Sequence, residues 1–246
     1  MIRFTLYFIK TIITIIATLL VTSCNINFNG METIMPKGDV VKKQILLNQN
    51  FDAIKVSNSI NVILTQNNQT DVTVEAQENL LEYITITVEE NTLVVKKDKN
   101  FGFNSTANVF ISAPNIEKIK ASSASNVNVT SQLKVSNLEL EVSSAATIDL
   151  DVIAKNIEIE SSSGSEINIT GKVVELNIQS SSGSNVNAEN LLSKNAEIKT
   201  SSGSTVKANV IENLNAKASS GSDIYYSKTP LNLISKISSG GNINMN

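Results

Sequence analysis

Three kinds of side chain in this sequence could do chemistry. Serines recur in a Ser-Ser-small-small tetrad that begins at Ser122, Ser143, Ser162, Ser181, Ser201, Ser219 and Ser238, reading SSAS, SSAA, SSGS four times and SSGG. Such strings suggest a hydroxyl nucleophile on a sharp turn. Glutamates gather at Glu139, Glu141, Glu158 and Glu160, where carboxylates could cleave a glycosidic bond in pairs or hold a hard cation such as Ca²⁺. Cys24 is the only thiol in 246 residues.

The missing residue types narrow these options. There is no His and no Trp, and Arg3 is the only arginine. Without imidazole no serine has its usual activating base and no histidine metal site exists. Without arginine there are no guanidinium forks for phosphate or carboxylate. One cysteine excludes an intrachain disulfide and a multi-thiolate metal site. A formal charge of −3, 4% aromatic residues and no basic stripe argue against nucleic acid as a partner. No cofactor or resident metal is expected. The 41% hydrophobic and 17% charged fractions suit a folded core, although 32 Asn and 31 Ser make up roughly a quarter of the chain.

Cys24 closes a segment with the layout of an export signal. Arg3 and Lys10 form a positive start, and Thr11–Val21 is an apolar run of eleven residues, too short for the roughly 20 a spanning helix needs. Val21-Thr22-Ser23-Cys24 then resembles a bacterial lipobox, whose cysteine is acylated and becomes the new N-terminus. The expected organisation is a signal peptide over 1–23, a lipidated Cys24 with a tether over 24–50, and one domain over 51–246. Cys24 would then fix the protein to a membrane of the bacterial cell envelope, the outer membrane being favoured, with its periplasmic or outer face undecided.

The tetrads recur at steps of 21, 19, 19, 20, 18 and 19 residues. Five residues after each first Ser stand Val127, Ile148, Ile167, Val186, Val206, Ile224 and Ile243, and two further on Val129, Leu150, Ile169, Ala188, Ala208, Tyr226 and Met245. Before the tetrads Leu138/Leu140, Ile157/Ile159, Leu176/Ile178 and Ala196/Ile198 alternate likewise, the pattern of strands buried on one face. A third apolar cluster falls mid-repeat at Val152-Ile153, Val173-Val174, Leu191-Leu192 and Val210-Ile211, and the length changes fall around it. This predicts an all-β parallel solenoid of about 19-residue coils that bury their apolar columns only by stacking. The tetrad is then a corner that needs small side chains, with hydroxyls bonding in a column. A bulky side chain at Gly183 is expected to destabilise it.

The segment from Phe51 to Pro114 is less regular. Phe51–Val62 reads as a degenerate first coil, Val72–Val74, Ile84–Val88 and Leu93–Val95 as strands, Glu89–Thr92 as a turn, and Asn79–Glu82 as a loop or helical turn. This half is expected to cap the N-terminal end of the stack. Its FDAIKVSNSINVILTQ, VTVEAQENLL and TLVVKK, with the later SSGS-x-I-N repeats, resemble the auto-transporter adhesin head GIN domain family over residues 51–246. The resemblance implies a right-handed β-helix in a secreted or lipid-anchored envelope protein and supplies no catalytic residues.

Outward-facing columns are the remaining candidates. Asn128, Asp149, Asn168, Asn187, Lys207, Tyr225 and Asn244 form one ladder, beside Asn126, Thr147, Glu166, Asn185, Thr205, Asp223 and Asn242. The first is the candidate binding face for a glycan or protein partner, against the simpler reading of a self-bonded polar face. Two residues before each tetrad stand Lys120, Glu141, Glu160, Gln179, Lys199, Lys217 and Lys236. The four glutamates are read as solvated, cation binding being the alternative. The expected function is a non-enzymatic structural or adhesin-like module, and the competing one a polysaccharide hydrolase or lyase on the same scaffold. Ile243 and Met245 on the last coil invite homo-oligomerisation.

Overall fold

The structure, a computed structural model, describes residues 32–246. Equivalent residues stack as the spacing requires. Val62, Val127, Ile148, Ile167, Val186, Val206, Ile224 and Ile243 are successive parallel partners, and all but Ile243 are buried. Val186 lies between Ile167 and Val206 and is fully buried. A second column runs Ile54, Ile119, Leu140, Ile159, Ile178, Ile198 and Ala216. Their branched side chains fill the space between the faces of each coil, because period-2 alternation sends every second one inward.

Each mid-repeat pair splits. Val152, Val173, Leu191 and Val210 are buried, whereas Ile153, Val174 and Ile211 point outward and are exposed. The ladders shift register here, between Asn168 and Gly171 and again between Ala188 and Leu192. Bulges therefore absorb the length differences between coils and leave the other faces in step. Gly171 sits in such a bulge at φ +116°, where a Cβ would lie 1.9 Å from the Val152 carbonyl oxygen.

The N-terminal half stacks out of sequence order. The coil of Ala53–Val56 and Asn61–Gln66 is sandwiched in space between Thr92–Lys97/Ala107–Ala113 and Lys118–Ala121/Asn126–Val129. Beyond it the pairing turns antiparallel: Ile84–Glu89 on Thr92–Lys97, Asp71–Gln77 on Ala107–Ala113, and Val40–Gln44 on Asp71–Gln77. Glu89–Thr92 is the expected hairpin turn, and a 3₁₀ helix occupies Glu78–Tyr83. Antiparallel strands thus cover the first coils at this end, and among the described residues the outer ones, Val40–Gln44 and Ile84–Glu89, are each bonded on one side. Val40–Gln44 belongs to the sheet although it lies in the segment read as tether, so the folded domain begins upstream of Phe51. Cys24 and residues 1–23 lie outside the described residues.

Candidate functional site

The serine corner is built identically at every level. The second and third residues of each tetrad both have positive φ, for example Ser182 at +54° and Gly183 at +71°. The fourth N–H donates to the first carbonyl, as from Ser184 to Ser181 at 3.2 Å. This is a type I′ turn. Turns are also bonded vertically, the Gly183 N–H donating to the Ser202 carbonyl and that of Gly164 to Ser182. The corner is not sterically tight, contrary to the expectation for Gly183: a Cβ there would meet nothing within 4 Å, and Ala124 and Ala145 hold the same place at φ +57° and +59°. Glycine is favoured by backbone conformation alone.

First and fourth serines of the tetrad have opposite fates. The fourth is buried and its hydroxyl is used internally: Ser184 Oγ donates to the Ser161 carbonyl at 3.0 Å and lies 2.9 Å from Ser180 Oγ, and Ser204 Oγ donates to the Ser180 carbonyl. These groups hold the corner together and are not placed to attack a substrate. The first serine is half-buried, or exposed in the case of Ser238, and open to one side. Among the described residues the hydroxyls of Ser143, Ser162, Ser181, Ser201 and Ser238 make no side-chain hydrogen bond, and that of Ser219 makes only a long one of 3.4 Å to Thr200.

These open hydroxyls floor a groove of about 630 Å³ along the stack. Its wall is the column Lys120, Glu141, Glu160, Gln179, Lys199, Lys217 and Lys236, in register at every level. At about 4.8 Å per level it runs roughly 29 Å. Charge changes sign along it. Glu141 is paired with both Lys118 and Lys120, and Lys118 also bonds Glu139 at 2.8 Å. Hydrogen bonds from Lys118 and then Lys120 hold the Glu141 carboxyl down to about 2, while Glu139 and then Glu141 raise Lys118. At the other end Lys199 and Lys217 share Glu197, at 2.9 and 3.5 Å, and Lys199 is the main cause of that carboxyl's lowered pKa. Two ammonium groups against one carboxylate, followed by Lys236, leave this end basic.

The acidic quartet is in register, Glu139 with Glu158 and Glu141 with Glu160. Lys118 and Lys120 stand one level below and neutralise it in part, and among the described residues no three acidic side chains are grouped to hold a metal. A lysine-bonded Glu141 is also the opposite of a catalytic acid, which needs a raised pKa. The predicted ladder Asn128–Asp149–Asn168–Asn187–Lys207–Tyr225–Asn244 forms one column. None of its residues lines the serine groove, and its one bond between levels runs from Asn168 to Asp149 at 2.8 Å. Bonding between levels is more extensive on another outward column, in two stretches, Asn137–Asn156 and Glu175 to Asn232. There Asn156 donates to Asn137, Asn195 to Glu175, Asn213 to Asn195 and Asn232 to Asn213, at 2.6–2.9 Å. The signal was available, six residues before every tetrad but the first.

The profile of the family described as "Putative auto-transporter adhesin, head GIN domain" matches residues 50–230. The chain belongs to this family. Solved structures share its fold. A "putative adhesin" from Bacteroides fragilis is 20% identical, with a TM-score of 0.78 over 87% of this chain and 100% of its own. A "putative lipid binding protein" from Parabacteroides distasonis is 17% identical, with a TM-score of 0.72 over the same shares. A "putative adhesin" from Parabacteroides merdae is 18% identical, with a TM-score of 0.70 over 87% and 99%. No curated protein matches the chain. This head GIN domain thus has the β-solenoid that its repeats predict, with a groove running along its serine corners.

Proposed function

We propose that the chain is a non-catalytic, adhesin-like binding module of the bacterial cell envelope, anchored through lipid on Cys24, favouring the outer membrane. Its groove holds an extended glycan bearing acidic groups. The observation that carries this reading is the file of unused serine hydroxyls at a strand-to-strand repeat, beside amide, carboxylate and ammonium groups. Hydroxyls and amides at that spacing suit a polymer of hydroxylated units, and the Lys199–Lys236 end suits negative charge. No aromatic residue lines the groove, so recognition rests on hydrogen bonds and charge, with weak single contacts multiplied along the chain. Family membership and the adhesin descriptions of its structural relatives agree with this role.

Two measurements test it. A glycan array probed with the full chain should show binding to linear acidic polysaccharides that Lys217→Glu with Lys236→Glu removes, without release of reducing ends. Binding unaffected by that double variant, or any turnover, would overturn the reading. Cys24→Ser should move the protein from the membrane to the soluble fraction; retention in the membrane would sink the anchor.

A further inference from the structure

Alternation sends every second residue of the mid-repeat stretch outward, and on this face those residues are not simply polar. Two outward columns run side by side. One reads Lys134, Ile153, Lys172 and Leu192, which are successive parallel partners. The other, two residues further on, reads Lys155, Val174, Lys194 and Ile211. Ammonium and aliphatic side chains therefore alternate both along each column and within each coil, about 5 Å apart between levels and about 7 Å apart along a strand. Ile153, Val174 and Ile211 are 41%, 40% and 42% exposed. Leu231, whose N–H donates to the Ile211 carbonyl, extends the aliphatic stripe to the next coil at 80% exposure. Of the adjoining carboxylates, Asp151 accepts from Gln132, Glu212 pairs with Lys194 at 3.4 Å, and Glu175 turns to the neighbouring face. Lys134, Lys155 and Lys172 are exposed and have no acidic partner among the described residues.

We propose that this checkerboard rests on an anionic membrane surface. A lipid interface offers phosphate oxygens above acyl carbon at every point, so interleaved lysine heads and aliphatic side chains are both satisfied there without any fixed register. An acidic protein would have to repeat the same checkerboard in complement, and a glycan has no acyl layer. The neighbouring face does not compete. Its groove is lined by Glu90, Glu117, Glu139, Glu158, Glu175 and Glu197 with Lys118 as the only base, and an anionic surface repels it. The mid-repeat stretch is separated from the serine corner by one strand on each side, and none of the checkerboard residues lines the serine groove. Docking by this face therefore leaves that groove turned away from the membrane. The inference rests on the envelope placement proposed above, but not on the glycan or on the lipid at Cys24.

The experiment uses the full chain with Cys24→Ser, so that an introduced cysteine is the only thiol. Residues 1–23 carry their own apolar run, so the readout is where a label sits and not whether the chain binds vesicles. A polarity-sensitive fluorophore on Ser136→Cys, beside Lys155, should shift to the blue on vesicles of equal parts phosphatidylcholine and phosphatidylglycerol. It should not shift on phosphatidylcholine alone, nor should the same label on Ser163→Cys at an exposed corner. Lys134→Glu with Lys155→Glu and Lys172→Glu should raise the lipid concentration for half the shift roughly tenfold or more. Ile153→Ser with Val174→Ser, outward substitutions that leave the circular dichroism unchanged, should raise it as well. No shift on the anionic vesicles, equal shifts at 136 and 163, an equal shift on phosphatidylcholine alone, or a shift indifferent to either set of substitutions would each overturn the proposal. Neither glycan nor acylated cysteine enters the assay, so its outcome is separate from those of the groove and the anchor.

Discussion

Gly171 and Gly183 both have positive φ, at +116° and +71°, yet replacing each by alanine should have very different consequences. At Gly183 the new methyl meets nothing within 4 Å, and Ala124 and Ala145 already occupy the equivalent place. Only the left-handed backbone penalty remains, about 1 kcal/mol. At Gly171 the methyl would sit 1.9 Å from the Val152 carbonyl oxygen and 2.8 Å from Asp151 Oδ1. Carbon and oxygen need more than 3 Å, so the neighbouring coil must move by roughly 1 Å. With a φ outside the range alanine tolerates, the cost is about 3–5 kcal/mol. Thermal denaturation followed by circular dichroism measures both. Gly183→Ala should lower Tm by about 2–4 °C, and Gly171→Ala by roughly 8–15 °C. Equal losses would refute the claim that the bulge, and not the serine corner, is where the backbones approach most closely.

Ser184→Ala should cost about 1–2 kcal/mol in the same assay, because it removes the hydroxyl's bonds to the Ser161 and Ser181 carbonyls and leaves the buried Ser180 hydroxyl without its partner while packing stays intact. Ala146, buried at the equivalent position, is the internal control. For Glu141, held at about 2 in the folded state against an ordinary 4.5, the folded protein binds fewer protons than the unfolded one. Its contribution is therefore complete above about pH 4.5 and is lost as pH falls through about 2. Glu141→Gln should flatten that part of the acid-denaturation profile and lower stability at neutral pH by about 1 kcal/mol or less; an unchanged profile would remove the lysine pairing from the account.

The apolar columns were legible because alternation and a near-constant period act on every coil. Ile167, Val186 and Val206 could be aligned from spacing, and spacing alone placed them in register. The counter-charges of the quartet, read as solvated, went unread, although Lys118 stands four residues before Ser122 as Glu139 stands four before Ser143. The groove was not legible. Whether a row of small residues is a closed corner or an open floor depends on which serine turns inward, and the text SSGS is the same for both. Nor could alternation reveal that Phe51–Gln66 stacks between later segments, since period-2 patterns specify a face and not a neighbour. Nor were the bonds along Asn137, Asn156, Glu175, Asn195, Asn213 and Asn232 legible, because an outward polar position reads the same whether its side chain bonds the next coil or water.

The groove's role is tested most directly by hydrogen-exchange footprinting of the full chain with a bound linear acidic polysaccharide. Protection concentrated at the corners from Ser162 to Ser238, and lost with Lys217→Glu and Lys236→Glu, is the expected result. Protection along Asn128, Asn168, Asn187 and Asn244 instead, with the serine groove unaffected, would contradict the account.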